Sequence, residues 1–476
     1  MRLALLLPDG VGVRNFLLSG FAGLAARCGR LDILHVVPDE LRAELDASLG
    51  PDVHWHRLLP SGEGRLLTTL RNALGYAHMY WARTEAMRRR LQRSTSSPTW
   101  GRWAITATAR AVGRMAASPS GIASLEAWHR RVARREPAVE GYRHLFATVR
   151  PDVLFCSHQR PPEIVAPVLA ARELGIPTAT FIFSWDNLTS KGRIAAPFDH
   201  YLVWSDCMAE ELLRYYPDVT RRQVHVVGTP QFDPYDDDDL RLSRDDYFRQ
   251  IGADPARPLI CFSGGDAGNC PDDPHHVRLL LELIRSGRIK GGPQVILRPS
   301  PVDPGNRYAQ VRAEFPELLY APPAWSHTRA GAWAGVIPRA SDVTFLANLT
   351  YHSSLNINVA STMTLDFAIH DRPVVNLAFD MSQPPAAGMP LRRYYDFEHY
   401  RPVAEFGAAR ISYSPEQLAD HVNAYLADPG LDRENRRRLV ELEVQLPLGK
   451  SAERILETLG RLGRGQVESL AAERTA

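Results

Sequence analysis

Residues 3–16 read LALLLPDGVGVRNF, and this stretch decides the fold. Residues 3–7 are wholly apolar, which is the pattern of a strand buried on both faces of a parallel sheet. The Pro-Asp-Gly turn at 8–10 predicts a break, followed by a loop holding Arg14 and Asn15 and a helix over about 16–26. A buried strand that turns directly into a helix is the repeating unit of α/β folds with parallel sheets.

The same pattern recurs along the chain in two sets. The predicted strands of the first set are 32–37, 54–59, 153–156, 178–183, 201–204 and 224–227, and those of the second are 259–262, 294–297 and 374–377. Residues 229–239 lie between the sets and are rich in proline and aspartate, so we expect a linker there. The sequence therefore predicts two Rossmann-like domains that face each other across a cleft.

The expected boundaries follow from this division, since 476 residues exceed a single hydrophobic core. The first domain is predicted over 1–235, with a helical insertion at about 65–148 that is broken near 94–98 and 118–121. The second domain is predicted over 240–435. Residues 436–462 are expected to form a helix that returns to the first domain, followed by a tail at 463–476.

Composition excludes several classes of protein. The chain is 45% hydrophobic and 23% charged, as in ordinary globular proteins. Its five cysteines are odd in number and show no CxxC spacing, which argues against a disulfide framework and a structural zinc site. No apolar run reaches the roughly 18 residues of a membrane span, and the N-terminal apolar run is too short for a signal peptide. We therefore expect a cytoplasmic protein.

The helical insertion is strongly basic. Between residues 83 and 135 the chain has twelve arginines and only two carboxylates, Glu85 and Glu126. The aromatic residues of this region are Tyr76, Tyr80, Trp81, Trp100, Trp103 and Trp128. Arginine with tryptophan suits the headgroup layer of an anionic membrane, so peripheral binding to the membrane is one prediction. The alternative is a basic solvated face whose aromatic residues belong to the core. No nucleic-acid-reading motif is present, and we expect no nucleic-acid partner.

Three loops that follow strands of the second set can bind an anion, because ligands bind at the carboxyl ends of parallel strands. Ser263, Gly264 and Gly265 follow the first of these strands, and the glycines let a ligand approach the backbone. Arg298 and Ser300 follow the next strand and offer a guanidinium fork and a hydroxyl. A plain turn and a surface arginine remain the alternatives at these two loops.

The third loop of the second set is the strongest candidate. Ser361 or Thr362 stands at a predicted helix N-cap, and Asp366 lies on the helix that follows. Backbone amides at such a position form a cradle for a diphosphate. A capped helix without a ligand is the alternative.

Two loops of the first set concentrate polar side chains. His158 and Arg160 lie in the loop at 157–160, and Trp185, Asp186 and Asn187 lie in the loop at 184–192. Either loop can supply a general base. Asp186 is the first candidate for that base and His158 is the second, while a turn or capping role is the alternative for both.

Seven stretches carry a resemblance to a known family. They are SWDNLT (184–189), VWSD (203–206), VVGTPQFD (226–233), ASTMTLD (360–366), RPVV (372–375), HYRPV (399–403) and GKSAERI (449–455). Together they resemble bacterial glycosyltransferases of the GT-B fold, near the branch of surface-polysaccharide enzymes and CDP-glycerol glycerophosphotransferases. The resemblance covers about 151–462, is looser over the first sixty residues, and leaves the helical insertion unmatched.

The resemblance implies a nucleotide-sugar donor bound by the second domain and a glycan or lipid-linked acceptor bound by the first. Ser263, Gly264, Gly265, Arg298, Ser300, Ser361, Thr362 and Asp366 then become donor-side residues. Arg14, Asn15, Arg160, Trp185 and Asn187 become acceptor-side residues. The resemblance implies no cofactor besides the donor and no bound metal.

The chain departs from parts of this family. Relatives that transfer glycerophosphate carry a histidine where this chain has Ser300, which weakens that branch. Retaining members use two glutamates near the donor, and residues 361–366 contain no such pair, so inversion by direct displacement is expected. A sugar-nucleotide epimerase of the same fold and a non-catalytic module that binds nucleotide sugars remain alternatives.

Overall fold

A computed structural model of the chain describes residues 1–60, 62–92, 100–327 and 335–466. It divides into two compact units. The first comprises Met1–Pro230 and the segment from Lys450 onward, and the second is Gln231–Gly449.

The first unit contains one parallel sheet. Its strands are β1 (Leu3–Leu7), β2 (Leu31–His35), β3 (Val53–Arg57), β4 (Val153–Cys156), β5 (Thr178–Phe181), β6 (His200–Val203) and β7 (Val224–Val226). Their order is β3-β2-β1-β4-β5-β6-β7, with all neighbours parallel. This is the Rossmann order, and its direction reverses between β1 and β4. The loops that follow these two strands therefore lie at the point where such sheets bind ligands.

The helices of the first unit include the predicted insertion. They are α1 (Gly10–Phe16), α2 (Phe21–Arg27), α3 (Asp39–Leu49), α4 (Arg65–Ala82), α5 (Glu85–Gln92), α6 (Trp100–Met115), α7 (Pro119–Ala133), α8 (Pro137–Val149), α9 (Val165–Glu173), α10 (Asn187–Ser190) and α11 (Asp206–Tyr215). Helices α4 to α8 fill the predicted span of 65–148. The break expected at 118–121 is the N-cap of α7, where Ser118 accepts from the Gly121 amide at 3.1 Å. The break expected at 94–98 lies outside the described residues.

The segment after β1 differs from the prediction. Residues 11–15, expected as a loop, belong to helix α1, because the Asp9 side chain caps that helix by accepting from the Gly12 amide at 3.1 Å. Gly12 packs α1 tightly against the end of β4. A Cβ at this position would lie 2.4 Å from Ser157 Oγ.

The second unit contains a second parallel sheet and a small hairpin. Its strands are β8 (Leu259–Ser263), β9 (Gln294–Arg298), β10 (Leu319–Tyr320), β11 (Trp325–His327), β12 (Val336–Pro338), β13 (Leu355–Asn358), β14 (Val374–Leu377) and β15 (Arg410–Ser412). The sheet order is β10-β9-β8-β13-β14-β15, and β11 pairs antiparallel with β12. This order again reverses, here between β8 and β13. The predicted α/β class with two Rossmann-like domains is confirmed.

Helices cover both faces of the second sheet. They are α12 (Arg244–Ile251), α13 (Asp273–Arg285), α14 (Ala309–Glu314), α15 (Ala340–His352), α16 (Met363–Ile369), α17 (Arg401–Phe406), α18 (Pro415–Ala427) and α19 (Arg433–Glu443). Apolar side chains from β8, β9 and β13 pack with those of α13 and α18 into one core. The sequence predicted β8, β9 and β14 but not β10, β13 or β15.

The single helix predicted over 436–462 is two helices in the structure. Helix α19 ends at Glu443 in the second unit, and α20 (Ser451–Gly463) packs on α2 and β4 in the first unit. Of the expected tail, residues 467–476 lie outside the described residues. Each helix in the described ranges is too short or too polar to cross a bilayer.

Candidate functional site

A histidine and an aspartate meet at the reversal point of the first sheet. Asp9 follows β1, His158 follows β4, and Asp9 Oδ2 contacts His158 Nδ1 in a short hydrogen bond. The second Asp9 oxygen is held by the Gly12 amide. The aromatic ring of Phe183 lies 4.1 Å from the imidazole, centroid to centroid. Helix α1 and strand β4 thus fix both partners of the pair.

The protonation of this pair follows from its surroundings. Burial opposes ionisation of Asp9, but His158 and the amides of Gly12 and Val11 lower its pKa below the usual 3.8. An ionised carboxylate only accepts hydrogen bonds, so His158 Nδ1 carries the proton that it donates to Asp9. His158 Nε2 is buried and has no partner among the described residues. When the ring carries only the Nδ1 proton, Nε2 holds the lone pair that a general base requires.

Asp186, the first candidate for the base, is held by its neighbours. Its Oδ1 accepts from Ser184 Oγ at 2.6 Å and from Asn187 Nδ2 at 3.1 Å. Its Oδ2 accepts from Ser190 Oγ at 2.7 Å and lies 3.3 Å from Lys191 Nζ. These contacts, all with side chains of its own loop, hold the Asp186 carboxylate at the start of α10, where it makes no capping bond to the helix backbone. Its role as the base stays a prediction.

The other first-domain candidates divide into buried and accessible groups. Trp185 and Asn187 are buried, and Asn187 Oδ1 accepts from Gln159 Nε2 at 3.2 Å. Asn15 is also buried and accepts from Arg14 Nε at 3.1 Å.

Arg160 is only partly buried and makes no hydrogen bond or ion pair within the described ranges. Burial lowers the pKa of its guanidinium, and nearby Arg90 adds to that shift. An arginine without a paired carboxylate next to His158 suits an anionic ligand.

In the second unit, buried asparagines organise the loop after β13. Asn358 Oδ1 accepts from the Ser361 amide and from Asn376 Nδ2, both at 3.0 Å. Its Nδ2 donates to Asn356 Oδ1 at 2.6 Å and to Thr364 Oγ1 at 3.1 Å. Both donors and both lone pairs of this amide are thus used. The network fixes the Ser361 loop at the reversal point of the second sheet.

The network continues to both sides of β13. Asn356 Nδ2 also donates to Ser263 Oγ at 2.8 Å, at the end of β8. The Tyr400 hydroxyl donates to Asn376 Oδ1 at 2.9 Å. Ala360 adopts a left-handed conformation with φ of +40°, which a residue with a Cβ adopts only under strain. Backbone strain held by a satisfied polar network is typical of a ligand-binding loop.

Three of the predicted donor-side residues, Ser361, Thr362 and Asp366, lie in this loop and on helix α16. Ser361 Oγ accepts from the Met363 amide at 3.3 Å, and Thr362 is the N-cap residue of α16. Thr362 is partly exposed beside it. Asp366 is buried, and its Oδ1 accepts from the Tyr235 hydroxyl.

The glycine loop after β8 is tightly packed. A Cβ on Gly264 would lie 2.4 Å from the Tyr308 hydroxyl, and one on Gly265 would lie 2.5 Å from Cys270 Sγ. The Gly265 amide donates to the buried carboxylate of Asp273 at 2.7 Å. Both glycines are thus required by neighbouring side chains, and the Gly265 amide is already used.

The guanidinium of Arg298 is paired with a carboxylate, whereas the sequence predicted that it would be available to a phosphate. Its Nη2 donates to both Asp342 carboxylate oxygens, at 3.0 and 2.9 Å, and both side chains are buried. Asp342 also accepts from Trp325 Nε1 at 2.7 Å. Arg298 Nη1 is buried and has no hydrogen-bond partner within the described structure. Ser300, two residues later, is buried in a turn. Roles for Arg298 and Ser300 in binding the donor stay predictions.

The sequence analysis missed Asp9 and the asparagines of the network. A signal for Asp9 was present, because this aspartate directly follows the first buried strand. The LNIN sequence of β13 placed Asn356 and Asn358 on one face of a strand.

No protein-family model matches this chain, and no curated protein matches it. Solved structures do. A putative UDP-N-acetylglucosamine 2-epimerase from Listeria monocytogenes is 10% identical with a TM-score of 0.55, and the match covers 99% of each chain. A glycosyltransferase from Rickettsia africae is 10% identical with a TM-score of 0.51, over 97% of this chain and 98% of its own. The Neisseria meningitidis UDP-GlcNAc 2-epimerase bound to UDP-GlcNAc is 9% identical with a TM-score of 0.50, over 97% and 100%. At these identities the likeness shows the fold: two Rossmann-like domains of the GT-B type.

Proposed function

We propose that this protein is a glycosyltransferase that moves a sugar from a nucleotide-sugar donor to a hydroxyl acceptor with inversion. The observation that carries the proposal is the pair formed by His158 and Asp9. In this pair the imidazole lies at the ligand-binding edge of the first sheet with Nδ1 bonded to a carboxylate, which leaves Nε2 for proton transfer.

In the proposed reaction, His158 Nε2 takes the proton of the acceptor hydroxyl. The acceptor oxygen forms a bond to the anomeric carbon while the bond from that carbon to the nucleoside diphosphate breaks. The bonding electron pair leaves with the diphosphate oxygen. Asp9 holds the ring in the required tautomer and stabilises the imidazolium that forms.

We further propose that the second domain binds the donor through the Ser361 loop. The Ser361 amide donates to Asn358 Oδ1, and this bond fixes the loop before a ligand arrives. The Ser361 hydroxyl can then donate to the negative charge that develops on a leaving diphosphate. Arg160, which lacks a paired carboxylate, would contact an anionic group of a substrate near His158. A lipid-linked or charged glycan acceptor fits this arrangement, in synthesis of a cell-surface glycan or glycolipid.

A nucleotide-sugar panel with and without glycan acceptors tests the proposal. We expect nucleoside diphosphate release that requires acceptor. His158→Gln should keep donor binding in a thermal-shift assay and lower turnover by about 10²–10⁴-fold. His144→Gln is the matched control, since His144 lies exposed on α8. Full turnover in a folded His158→Gln protein would refute the assignment of the base.

A sugar-nucleotide 2-epimerase is the second candidate, because two of the three solved structures above carry that description. An epimerase converts the nucleotide sugar without any acceptor, so product analysis in its absence separates the two reactions. Glycerophosphate transfer would appear only with CDP-glycerol as donor. A non-catalytic module would bind nucleotide sugars and turn over none of them.

A further inference from the structure

The outward face of helix α6 is largely apolar. Trp103 is 52% exposed and Met115 is 84% exposed. Ala104 and Ala111 are exposed as well, and helical geometry places all four side chains within one arc. The exposed Arg114 lies in the same arc, and the exposed Thr108 lies at its edge. A solvated helix face normally carries mostly polar side chains. Helix α6 contains no aspartate or glutamate.

The opposite face of α6 is fixed against the rest of the first domain. Ala109 is fully buried in a core shared with α4 and α7. Gly113 packs directly on α4, where a Cβ would lie 2.6 Å from Tyr76 Cβ. The helix therefore cannot rotate to bury Trp103 and Met115 without losing this packing.

Exposure separates the aromatic residues of the insertion into two groups. Tyr76 and Trp81, both on α4, pack against the helical core. Trp128 on α7 is 50% exposed, much as Trp103 is on α6. The side chain of Trp100 lies outside the described residues. Trp103 and Trp128 thus present about half of their surface to solvent, while the α4 residues follow the core alternative.

The charges around this face are positive. Arg102 and Arg114 on α6 and Arg131 on α7 are exposed and make no hydrogen bond or ion pair through their side chains in the described part of the chain. The two carboxylates of the basic region already have partners. Glu126 binds Arg193 Nε at 2.6 Å, and Glu85 lies 3.6 Å from an arginine on its own helix.

We propose that this surface docks on an anionic lipid bilayer. We call it the α6 face and define it by the exposed Trp103, Met115 and Arg114 of α6. Tryptophan rings favour the headgroup layer, and an amphipathic helix with a basic rim lies in the plane of that layer. Guanidinium groups add attraction to anionic headgroups.

The positive charge of the α6 face favours an anionic bilayer over a second copy of the chain as the partner. A symmetric dimer through the α6 face would bring the same arginines of both copies together, and like charges repel. An anionic surface instead offers a counter-charge to each arginine. The inference does not rest on the proposed reaction, since it concerns a different surface and a different measurement.

Sedimentation with vesicles tests the inference on the full chain. We expect binding to mixed phosphatidylcholine–phosphatidylglycerol vesicles and much weaker binding to pure phosphatidylcholine. Binding should weaken between about 0.1 M and about 1 M salt, where the Debye length falls from about 10 Å to about 3 Å. No sedimentation with the mixed vesicles at low salt would overturn the proposal.

Two sets of variants locate the surface. Trp103→Ser with Met115→Ser should lower vesicle affinity by at least about tenfold, because the apolar area that enters the bilayer is lost. Arg114→Gln should lower it by about fivefold. Tyr413→Ser is the matched control, since Tyr413 is 55% exposed in the second unit. Equal losses in the control and the α6 variants would place the binding elsewhere.

Hydrogen exchange provides a readout that needs no variant. Vesicles should slow exchange in α6 of the unchanged protein and leave α18 unaffected. Protection that depends on protein concentration and appears without vesicles would identify a second copy as the partner and refute the lipid assignment.

Discussion

Replacing Asp9 by asparagine separates two roles of one carboxylate. Oδ1 caps helix α1 through the Gly12 amide at 3.1 Å, and Oδ2 holds His158 Nδ1. Asparagine caps helices as well as aspartate does, so the first role is retained. Its amide is neutral and can also donate to Nδ1, which would move the imidazole proton to Nε2. We therefore expect a nearly normal fold with a disabled base.

The magnitudes follow from the bonds that each variant loses. A hydrogen bond to a charged group contributes about 1.5–3 kcal/mol and a neutral one about 0.5–1.5 kcal/mol. Asp9→Asn should thus lower the free energy of unfolding by about 1 kcal/mol. Asp9→Ala loses the cap as well, so the cost should reach about 2–4 kcal/mol. Turnover should fall by about 10²–10⁴-fold in both variants, because neither holds the required tautomer.

The difference in free energy of unfolding between wild type and Asp9→Asn should decrease as the pH falls. The folded pKa of Asp9 is lowered, because the effects of His158 and the backbone amides exceed that of burial. The stability from its charge is therefore fully present above the unfolded pKa of about 3.9 and is lost as pH falls through the folded value. The difference in free energy of unfolding between wild type and Asp9→Asn should shrink as pH falls below about 4.

Urea unfolding and acceptor-dependent turnover measure both effects on the same preparations. Ser118→Ala is the control, because it removes an N-cap from α7 in the same domain. That variant should lose about 1 kcal/mol of stability and keep its turnover. Wild-type turnover in Asp9→Asn would refute the role of the pair, whatever its effect on stability.

Three further predictions follow from the buried polar groups. Asp186→Asn should retain turnover within a few-fold of wild type, since its contacts are local; a loss on the order of 10²-fold would return the base to Asp186. Asn358→Ala should cost about 1–3 kcal/mol of stability and weaken nucleotide binding through the Ser361 loop; unchanged nucleotide affinity by calorimetry would remove the network from the site. Burial raises the pKa of Asp273 to about 6, so the stability from its protonated form is complete below about pH 3.9 and lost as pH rises through the folded value. Asp273→Asn should therefore gain stability relative to wild type between about pH 5 and about pH 7, and an equal unfolding difference across that range would contradict this.

The sheet of the first domain was predictable because parallel strands buried on both faces are apolar runs. The predicted strands at 3–7 and 153–156 match β1 and β4, and the others lie within one or two residues of their observed positions. Strand β13 was missed for the opposite reason. Its sequence is LNIN, and all four residues are buried. Polar side chains normally indicate a strand that is exposed to solvent. These asparagines hydrogen-bond to one another, so they can be buried in spite of their polarity.

Helix α1 shows a second limit of local patterns. The sequence GVGVRNF holds two glycines, which lower intrinsic helix propensity. The capping bond from Asp9 and the packing of Gly12 against Ser157 outweigh that preference. The second of these is a contact between residues 145 positions apart in the sequence, and no window of neighbouring residues contains it.

The choice between Asp186 and His158 depends on the same kind of long-range contact. Asp186 was the first candidate from sequence, and its own loop surrounds it with polar neighbours. Those neighbours are the groups that occupy its oxygens. The ring of His158 has no such partners in its own loop. The carboxylate that contacts it belongs to Asp9, which follows β1 and is separated from His158 in the sequence by the whole helical insertion. The Rossmann order sets the ends of β1 and β4 side by side, so strand order combined with the residues after each strand predicts this pair. In sheets of this order, an aspartate after the first strand should be compared with the histidines after the fourth before any local cluster is chosen as the base.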